Sequence, residues 1–292
     1  MELRVEQLSK SYKNCKAINN ISFSIHSGEV VGLLGHNGAG KSTLIKCMMN
    51  AIKSYSGCIT IDGKNIQRHQ ELLAKECSFL LEPSFCDYMS AQKNLELLHN
   101  LLPDKAARSI EEILSIVSLR KSATKKVGEF SFGMKQRLGL AQIFLTEPHF
   151  VVLDEPTVGL DPLGIEIIKN IILELSNAGI AVLFSSHQIS DVFDICTRAI
   201  VMNEGEIVFD DNIANLLKKT YVIIVNRSIV EKQQFHQLGE DVKVENETIY
   251  TDDTSVLSKI MDLVTKNNYE IVDIRTENNY DILRKYLMTG GK

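Results

Sequence analysis

The chain has 292 residues, enough for one large domain with an appendage or for two ordinary domains. Its 44% hydrophobic and 24% charged content is that of a globular protein and excludes disordered, collagenous and low-complexity classes. The net charge is −5, and the 32 Lys and Arg are scattered among 37 Asp and Glu, so nucleic acid is not an expected partner. No apolar run reaches the roughly 18 residues of a membrane span, and the start lacks the charged-then-apolar order of a signal peptide. A chain that neither spans a membrane nor is secreted by that route is expected. Cys15, Cys47, Cys58, Cys77, Cys86 and Cys196 are dispersed without a CxxC or Cys/His cluster. That dispersal predicts reduced, structural thiols in a cytosol and no structural zinc.

In chain order, apolar residues alternate at Leu3 and Val5 and again at Ile21, Phe23 and Ile25, predicting two short paired strands. Glu29 to Gly35 is a continuous apolar run ending in glycine, the pattern of a parallel strand buried on both faces. A helix is expected from Gly40 to Asn50, then a strand from Cys58 that ends at the Asp62-Gly63 turn. From about Met89 to Leu145 the spacing turns helical, with Leu95, Leu98 and Leu102 followed by Ile110, Ile113, Leu114 and Val117. Pro103-Asp104 should separate two of these helices. Phe150 to Asp154 and Ile180 to Phe184 read as further buried strands, with a helix face at Ile165, Ile168, Ile172 and Leu175 between them. Apolar strands alternating with helices imply a parallel α/β sheet.

Beyond about Lys218 the character changes. Tyr221 to Val225, an alternating stretch from Val242 to Tyr250, a helix from Val256 to Val264, a strand from Ile271 to Ile274 and a final helix predict a separate small α+β module. The expected domains are therefore 1–217 and 218–292, and no internal repeat is present.

The chemistry is concentrated in Gly35-His36-Asn37-Gly38-Ala39-Gly40-Lys41-Ser42, which fits GxxxxGK[ST] between a buried strand and a helix. Glycines let the backbone wrap phosphate oxygens, the loop amides and helix N-terminus aim positive partial charge inward, and Lys41 adds a full charge. Ser42 supplies a hydroxyl for Mg²⁺, and Thr43 completes the candidate nucleotide-binding run. The strand from Phe150 delivers Asp154 as a second Mg²⁺ ligand, with Glu155 one residue beyond.

These motifs, in their order, resemble the nucleotide-binding subunit of an ATP-binding cassette (ABC) transporter. Tyr12 matches the aromatic that stacks on adenine in that family, and Phe130-Ser131-Phe132-Gly133-Met134-Lys135-Gln136-Arg137 is similar to its signature sequence. Gly159-Leu160-Asp161-Pro162 resembles its D-loop, and His187 after Ser185-Ser186 resembles its switch histidine. The resemblance runs from Tyr12 through the hairpin at Val201 to Ile207, about three quarters of the chain. It implies a P-loop NTPase fold: a RecA-like parallel sheet, an antiparallel β subdomain and an inserted helical subdomain at about 86–145. It further implies ATP and Mg²⁺ as cofactors, Lys41 on the phosphates, Glu155 polarising the attacking water and His187 on the γ-phosphate. Ser131 and Gly133 would serve the ATP of a second ATP-binding subunit, expected to be a copy of this chain, and Asp161 of the D-loop joins the nucleotide-binding residues.

Three positions depart from the common family pattern. His36 replaces a frequent proline, Phe132 and Met134 replace glycine and glutamine, and Glu82-Pro83 stands where the Q-loop glutamine is usual. Glu82 is either a ligand of Mg²⁺ or its water, or a solvated loop acid. Leu81-Glu82-Pro83, Asn94-Leu95 and the signature run through Gly139 look like the bacitracin-resistance and lantibiotic-immunity branch. That resemblance implies an ATP hydrolase on the cytoplasmic face of a cell membrane, docked on a separate permease that exports a drug or antimicrobial peptide the ATPase does not itself bind. Other exporters and importers share this motor. Structural and DNA-repair ABC ATPases carry long heptad segments that the 90-residue interval between Lys41 and Ser131 lacks, and a P-loop kinase would lack the signature.

Overall fold

The computed structural model describes residues 1–13, 15–102, 108–216, 219–239 and 241–278. The break expected at Pro103-Asp104, the division between 217 and 218 and the final helix lie outside the described residues. The chain forms two compact units, Met1–Asp211 and a second that begins at Asn212.

In the first unit β1 (Glu2–Tyr12) and β2 (Cys15–His26) pair antiparallel, with Leu3 opposite Ile25 and Val5 opposite Phe23. Next come β3 (Val30–Leu34), α1 (Lys41–Met48), β4 (Ser56–Ile61) and the two-residue β5 (Lys64–Asn65). The order β2-β1-β4-β5 makes one antiparallel sheet. After α2 (Glu71–Glu76) and β6 (Cys77–Leu80), the helical stretch breaks into α3 (Ala91–Leu101), α4 (Ile110–Ile116) and α5 (Phe132–Ala141). Ser90, Ser109 and Ser131 cap these three helices through their hydroxyls, and Ser109 with Glu112 forms a capping box. Then follow β7 (Phe150–Leu153), α6 (Pro162–Asn177), β8 (Ala181–Ser186), α7 (Ile189–Ile195), β9 (Arg198–Asn203) and β10 (Glu206–Asn212).

The second sheet has the order β10-β9-β3-β8-β7-β6, and β6, β7, β8, β3 and β9 run parallel. Every residue of β3, β7 and β8 is buried, which is why their sequences are apolar without alternation. β1 and β2 bury only a minority of their side chains, such as Leu3 and Val5 or Ile21, Phe23 and Ile25, at every second position and therefore alternate there. Burial pushes the thiols of Cys47 and Cys77 up to about 11 and about 12, and all six cysteines are free.

Gly32 in β3 allows α7 to approach the sheet. A Cβ there would lie 2.3 Å from Val192 Cγ1 and 3.1 Å from Cys196 Sγ. Gly32→Ala should therefore destabilise the first unit by about 1–3 kcal/mol through overpacking. A lowered urea midpoint at unchanged slope is the expected readout; an unchanged midpoint would show that α7 yields without cost.

The second unit starts with α8 (Ile213–Leu216) and continues through β11 (Lys219–Val225), α9 (Lys232–His236), β12 (Lys243–Glu245), β13 (Thr248–Thr251), α10 (Leu257–Lys266) and β14 (Ile271–Asn278). Its sheet has the order β12-β13-β11-β14 and is antiparallel throughout, so β11 to β14 form the βαββαβ, ferredoxin-like arrangement. Ile223, Val225, Phe235, Ile249, Ile260 and Val264 make its core. Two details differ from the sequence expectation. The alternating stretch from Val242 to Tyr250 is a hairpin of two strands that turns at Asn246, whose φ is 51°. A short helix, α9, precedes it and buries only Phe235, too little periodicity to stand out in sequence.

Candidate active site

The loop Gly35–Gly40 leaves the C-terminal end of β3 and opens α1. Gly38 and Gly40 have φ of 90° and 107°, conformations that side chains resist, and a Cβ on Gly40 would lie 2.5 Å from Ala17 O. At Gly35 a Cβ would lie 2.6 Å from Met202 O, while Ala39 O accepts from Gly205 N at 3.0 Å. The loop is thus held against the β9–β10 turn by backbone contacts. His36 adds a further tie, its Nε2 lying 3.1 Å from Asn203 Oδ1. No side chain caps the N-terminus of α1, so its first-turn amides remain available to an anion.

Lys41 is 6% exposed, and its Nζ donates to Gly35 O at 2.5 Å and His36 O at 3.4 Å. Nζ also lies 3.5 Å from Glu155 Oε1, while the other Glu155 oxygen is 2.7 Å from His187 Nδ1. The parallel register of β7 and β8 creates this convergence. Ser185 Oγ donates to Asp154 Oδ1 at 2.6 Å and accepts from Glu155 N at 2.9 Å, while Asp154 N donates to Leu80 O at 2.8 Å. Glu155 itself has φ of 50°, a left-handed residue at the strand exit. The motif that carries His187 includes Ser185 without giving it a role; hydroxyls closing an otherwise apolar strand were its available signal. Thr157 Oγ1 donates to Asp191 Oδ2 at 2.7 Å in the core and holds the segment that follows.

Three clefts divide the sequence-designated residues. The first, of about 660 Å³, is lined by His36, Asn37, Gly38, Gly40, Lys41, Ser42, Thr43, Glu155 and His187, and also by Cys15, Lys16 and Ala17. Gly35 and Ala39 are not among its lining residues; Gly35 O accepts from Lys41 Nζ and Ala39 O from Gly205 N. Tyr12 does not line it: the ring is 48% exposed and stands under Lys10 Nζ, 4.9 Å from its centroid. A second cleft, of about 800 Å³, shares Ser42 and Glu155 with the first and adds Glu82 and Asp154. Its oxygen donors Ser42, Asp154 and Glu82 suit a small hard cation. Among the described residues no group of three or more His, Cys, Asp or Glu that could hold a metal ion by itself is found.

The third cleft, of about 310 Å³, brings together Ser131, Gly133 and Asp161 and excludes Lys41. Ser131 Oγ accepts from Met134 N at 3.3 Å as the cap of α5, and Asp161 Oδ1 accepts from Gly164 N at 2.9 Å as the cap of α6. Phe132 is 58% exposed and its ring reaches within 3.2 Å of where a Cβ on Gly159 would stand. Gly159 has φ of 74°, so the turn that precedes Asp161 needs glycine for both conformation and space.

Comparison with known proteins agrees with this geometry. The family described as ABC transporter matches residues 18–158. The bacitracin transport ATP-binding protein of Bacillus licheniformis is 33% identical over 79% of this chain and 74% of its own length. The lantibiotic transport ATP-binding protein of Streptococcus pyogenes is 35% identical over 71% of this chain and 90% of its own. Among solved structures, an ATP-binding subunit of an ABC transporter superposes with a TM-score of 0.66 at 26% identity, covering 74% of this chain and 92% of that one. No helix among the described residues is long and apolar enough to cross a membrane. With two such relatives covered over most of their length and the cassette fold in place, the chain belongs to the ABC transporter family as an ATP-binding subunit with the P-loop ATPase fold.

Proposed function

We propose that the chain hydrolyses ATP to drive export of an antimicrobial peptide or drug through a separate permease, on the cytoplasmic face of the membrane. The observation that carries the hydrolytic part is the convergence of Lys41 and His187 on the two oxygens of Glu155, beside the uncapped start of α1. In this reading the amides of Gly38 to Thr43 and Lys41 Nζ bind the β- and γ-phosphates. Glu155 Oε2 polarises the attacking water and takes its proton, and His187 Nδ1 orients that carboxylate while the ring faces the γ-phosphate. Ser42, Asp154 and Glu82 would hold Mg²⁺, which neutralises charge on the phosphates when bound. Ser185, through its bonds to Asp154 and the Glu155 amide, keeps the two acids in fixed relation. Ser131, Gly133 and Asp161 line a cleft separate from Lys41, and serve the ATP of a second copy. Tyr12, which stands outside the cleft lining, would stack its exposed ring on adenine. In domain terms, 1–217 is the motor and 218–292 an accessory module.

The direction of transport rests on the bacitracin and lantibiotic relatives. Deleting the gene in its host should raise sensitivity to a cell-envelope peptide antibiotic, and the wild-type chain, but not the Glu155→Gln variant, should restore resistance. Tagged protein should bring down a polytopic membrane subunit. Unchanged sensitivity across a peptide panel, together with recovery of a substrate-binding protein, would replace export by import.

A further inference from the structure

The cleft that holds Glu82 and Asp154 also contains a polar side chain with no task. Gln136 lies on α5, is 5% exposed and lines this cleft together with Ser42, Lys46 and Lys135. Among the described residues its side-chain amide has no hydrogen-bond partner. Nor is the amide sealed in the core, since the fully enclosed polar atoms without a partner among those residues are Asn50 Oδ1 and Tyr55 Oη. An amide withdrawn from water without gaining a bond costs free energy, so its place in the cleft lining points to an acceptor there.

The neighbours of Gln136 in sequence are engaged elsewhere. Lys135 Nζ donates to Asp87 Oδ1 at 3.0 Å, and Arg137 donates to the carbonyls of Gly133, Val117 and Ser118. Gln136 shares a helix face with Gly139, three residues on. A Cβ on Gly139 would lie 2.8 Å from Pro83 Cβ and 2.9 Å from Leu80 Cδ1, so α5 packs on the segment that carries Glu82. The acids lining the cleft are Glu82, Asp154 and Glu155. Asp154 already accepts from Ser185 Oγ at 2.6 Å, and Glu155 spans Lys41 and His187. Among the described residues Glu82 has no hydrogen bond or ion pair. Lys46 is exposed in the last turn of α1, where an ion pair in water contributes little. The unpaired buried donor and the unpaired acid are thus left for each other.

We propose that Gln136 is a positioning residue for the cation site: its Nε2 donates to the Glu82 carboxylate when that side chain turns to the cation held by Ser42 and Asp154. The bond fixes one carboxylate oxygen and leaves the other for the cation or its water, the usual role of a partner behind a ligating group. This inference rests on the hydrolytic reading of the site. It adds to that reading a link between α5, which starts at the Ser131 cap, and the cation of the chain's own cleft.

The test uses the full-length chain in excess over a non-hydrolysable ATP analogue, with manganese as a paramagnetic stand-in for magnesium and its free fraction read by electron paramagnetic resonance. Gln136→Leu should weaken manganese binding by about 10-fold, the low end of the loss when such a supporting bond is removed. In a Glu82→Ala background the same change should matter by less than about 2-fold, because Gln136 acts through Glu82. Affinity for the analogue in chelator should not change. The urea midpoint of Gln136→Leu should equal or exceed that of wild type, since the amide removed has no partner to lose. Manganese affinity equal to wild type in Gln136→Leu overturns the proposal. An equal loss in the Glu82→Ala background does so too, and would make Gln136 a phosphate contact or a packing residue. A wild-type chain that fails to bind the analogue at all would instead remove the hydrolytic reading, and this inference with it.

Discussion

Glu155→Gln should lower steady-state ATP turnover by about 10²- to 10⁴-fold, the usual contribution of a positioned general base. Glutamine keeps the size and shape of the side chain but cannot take a proton from water. Its amide can still occupy the place between Lys41 and His187, which the carboxylate spans at 3.5 and 2.7 Å. The backbone at this residue is set by the Ser185 hydroxyl on its amide and does not depend on the side chain. ATP affinity should therefore stay within a few-fold of wild type, and the ATP-bound state should persist because its exit step is blocked. Single-turnover hydrolysis and equilibrium binding of an ATP analogue, measured on one preparation, separate the two effects. Undiminished turnover with intact binding would remove Glu155 from the role of base.

Lys41→Met acts at the other end of the same ion pair and should do the reverse, lowering ATP affinity by about 10- to 100-fold. This is the range of one or two lost charge-assisted hydrogen bonds to phosphate. Methionine fills nearly the same buried volume, so the loop should keep its path. The free protein should lose little stability. Lys41 gives up bonds to Gly35 O and His36 O, but a cationic group no longer has to be held in a site that is only 6% exposed. Titration with a fluorescent ATP analogue and urea unfolding check the two halves, the second expected to shift by less than about 1 kcal/mol. Unchanged affinity would show that Lys41 serves Glu155 and not the phosphate.

The two substitutions together distinguish chemistry from binding within one cluster. If Lys41 and Glu155 acted only as a structural pair, either change would produce the same loss. The geometry instead gives Glu155 a second partner in His187, and so predicts opposite patterns: turnover lost with binding kept at Glu155, binding lost at Lys41.

Much of the fold was legible because its strands are extreme cases. β3, β7 and β8 are buried along their whole length, and their unbroken apolar runs admit few other readings. The loop Gly35–Ser42 is equally plain, since its glycines stand where the backbone takes φ of 90° and 107° or meets other backbone within 2.6 Å. In the C-terminal unit the signal is weaker. Val244 and Ile249 lie on strands of three and four residues either side of the turn at Asn246, each too short to show its own period, so a hairpin reads as a single strand. The five residues of α9 hold one buried side chain, and a helical period cannot be seen from one point.

Local spacing carries the inventory: a phosphate loop, an acidic strand end, a signature segment and a histidine, each recognisable because its chemistry needs particular residues close together in the chain. How they combine depends on strand pairing. Parallel pairing of β7 with β8 brings Ser185 onto Asp154 and His187 onto Glu155 across about 30 residues of chain, a distance no local pattern encodes. The same holds for the separation of Ser131 and Gly133 from Lys41, and for Tyr12 standing outside the cleft lining. The strand from Ile271 was visible in the sequence. Its place beside β11, at the edge of the sheet formed by the described residues, follows only from strand order, because neighbours in a sheet are chosen by the packing of the whole unit.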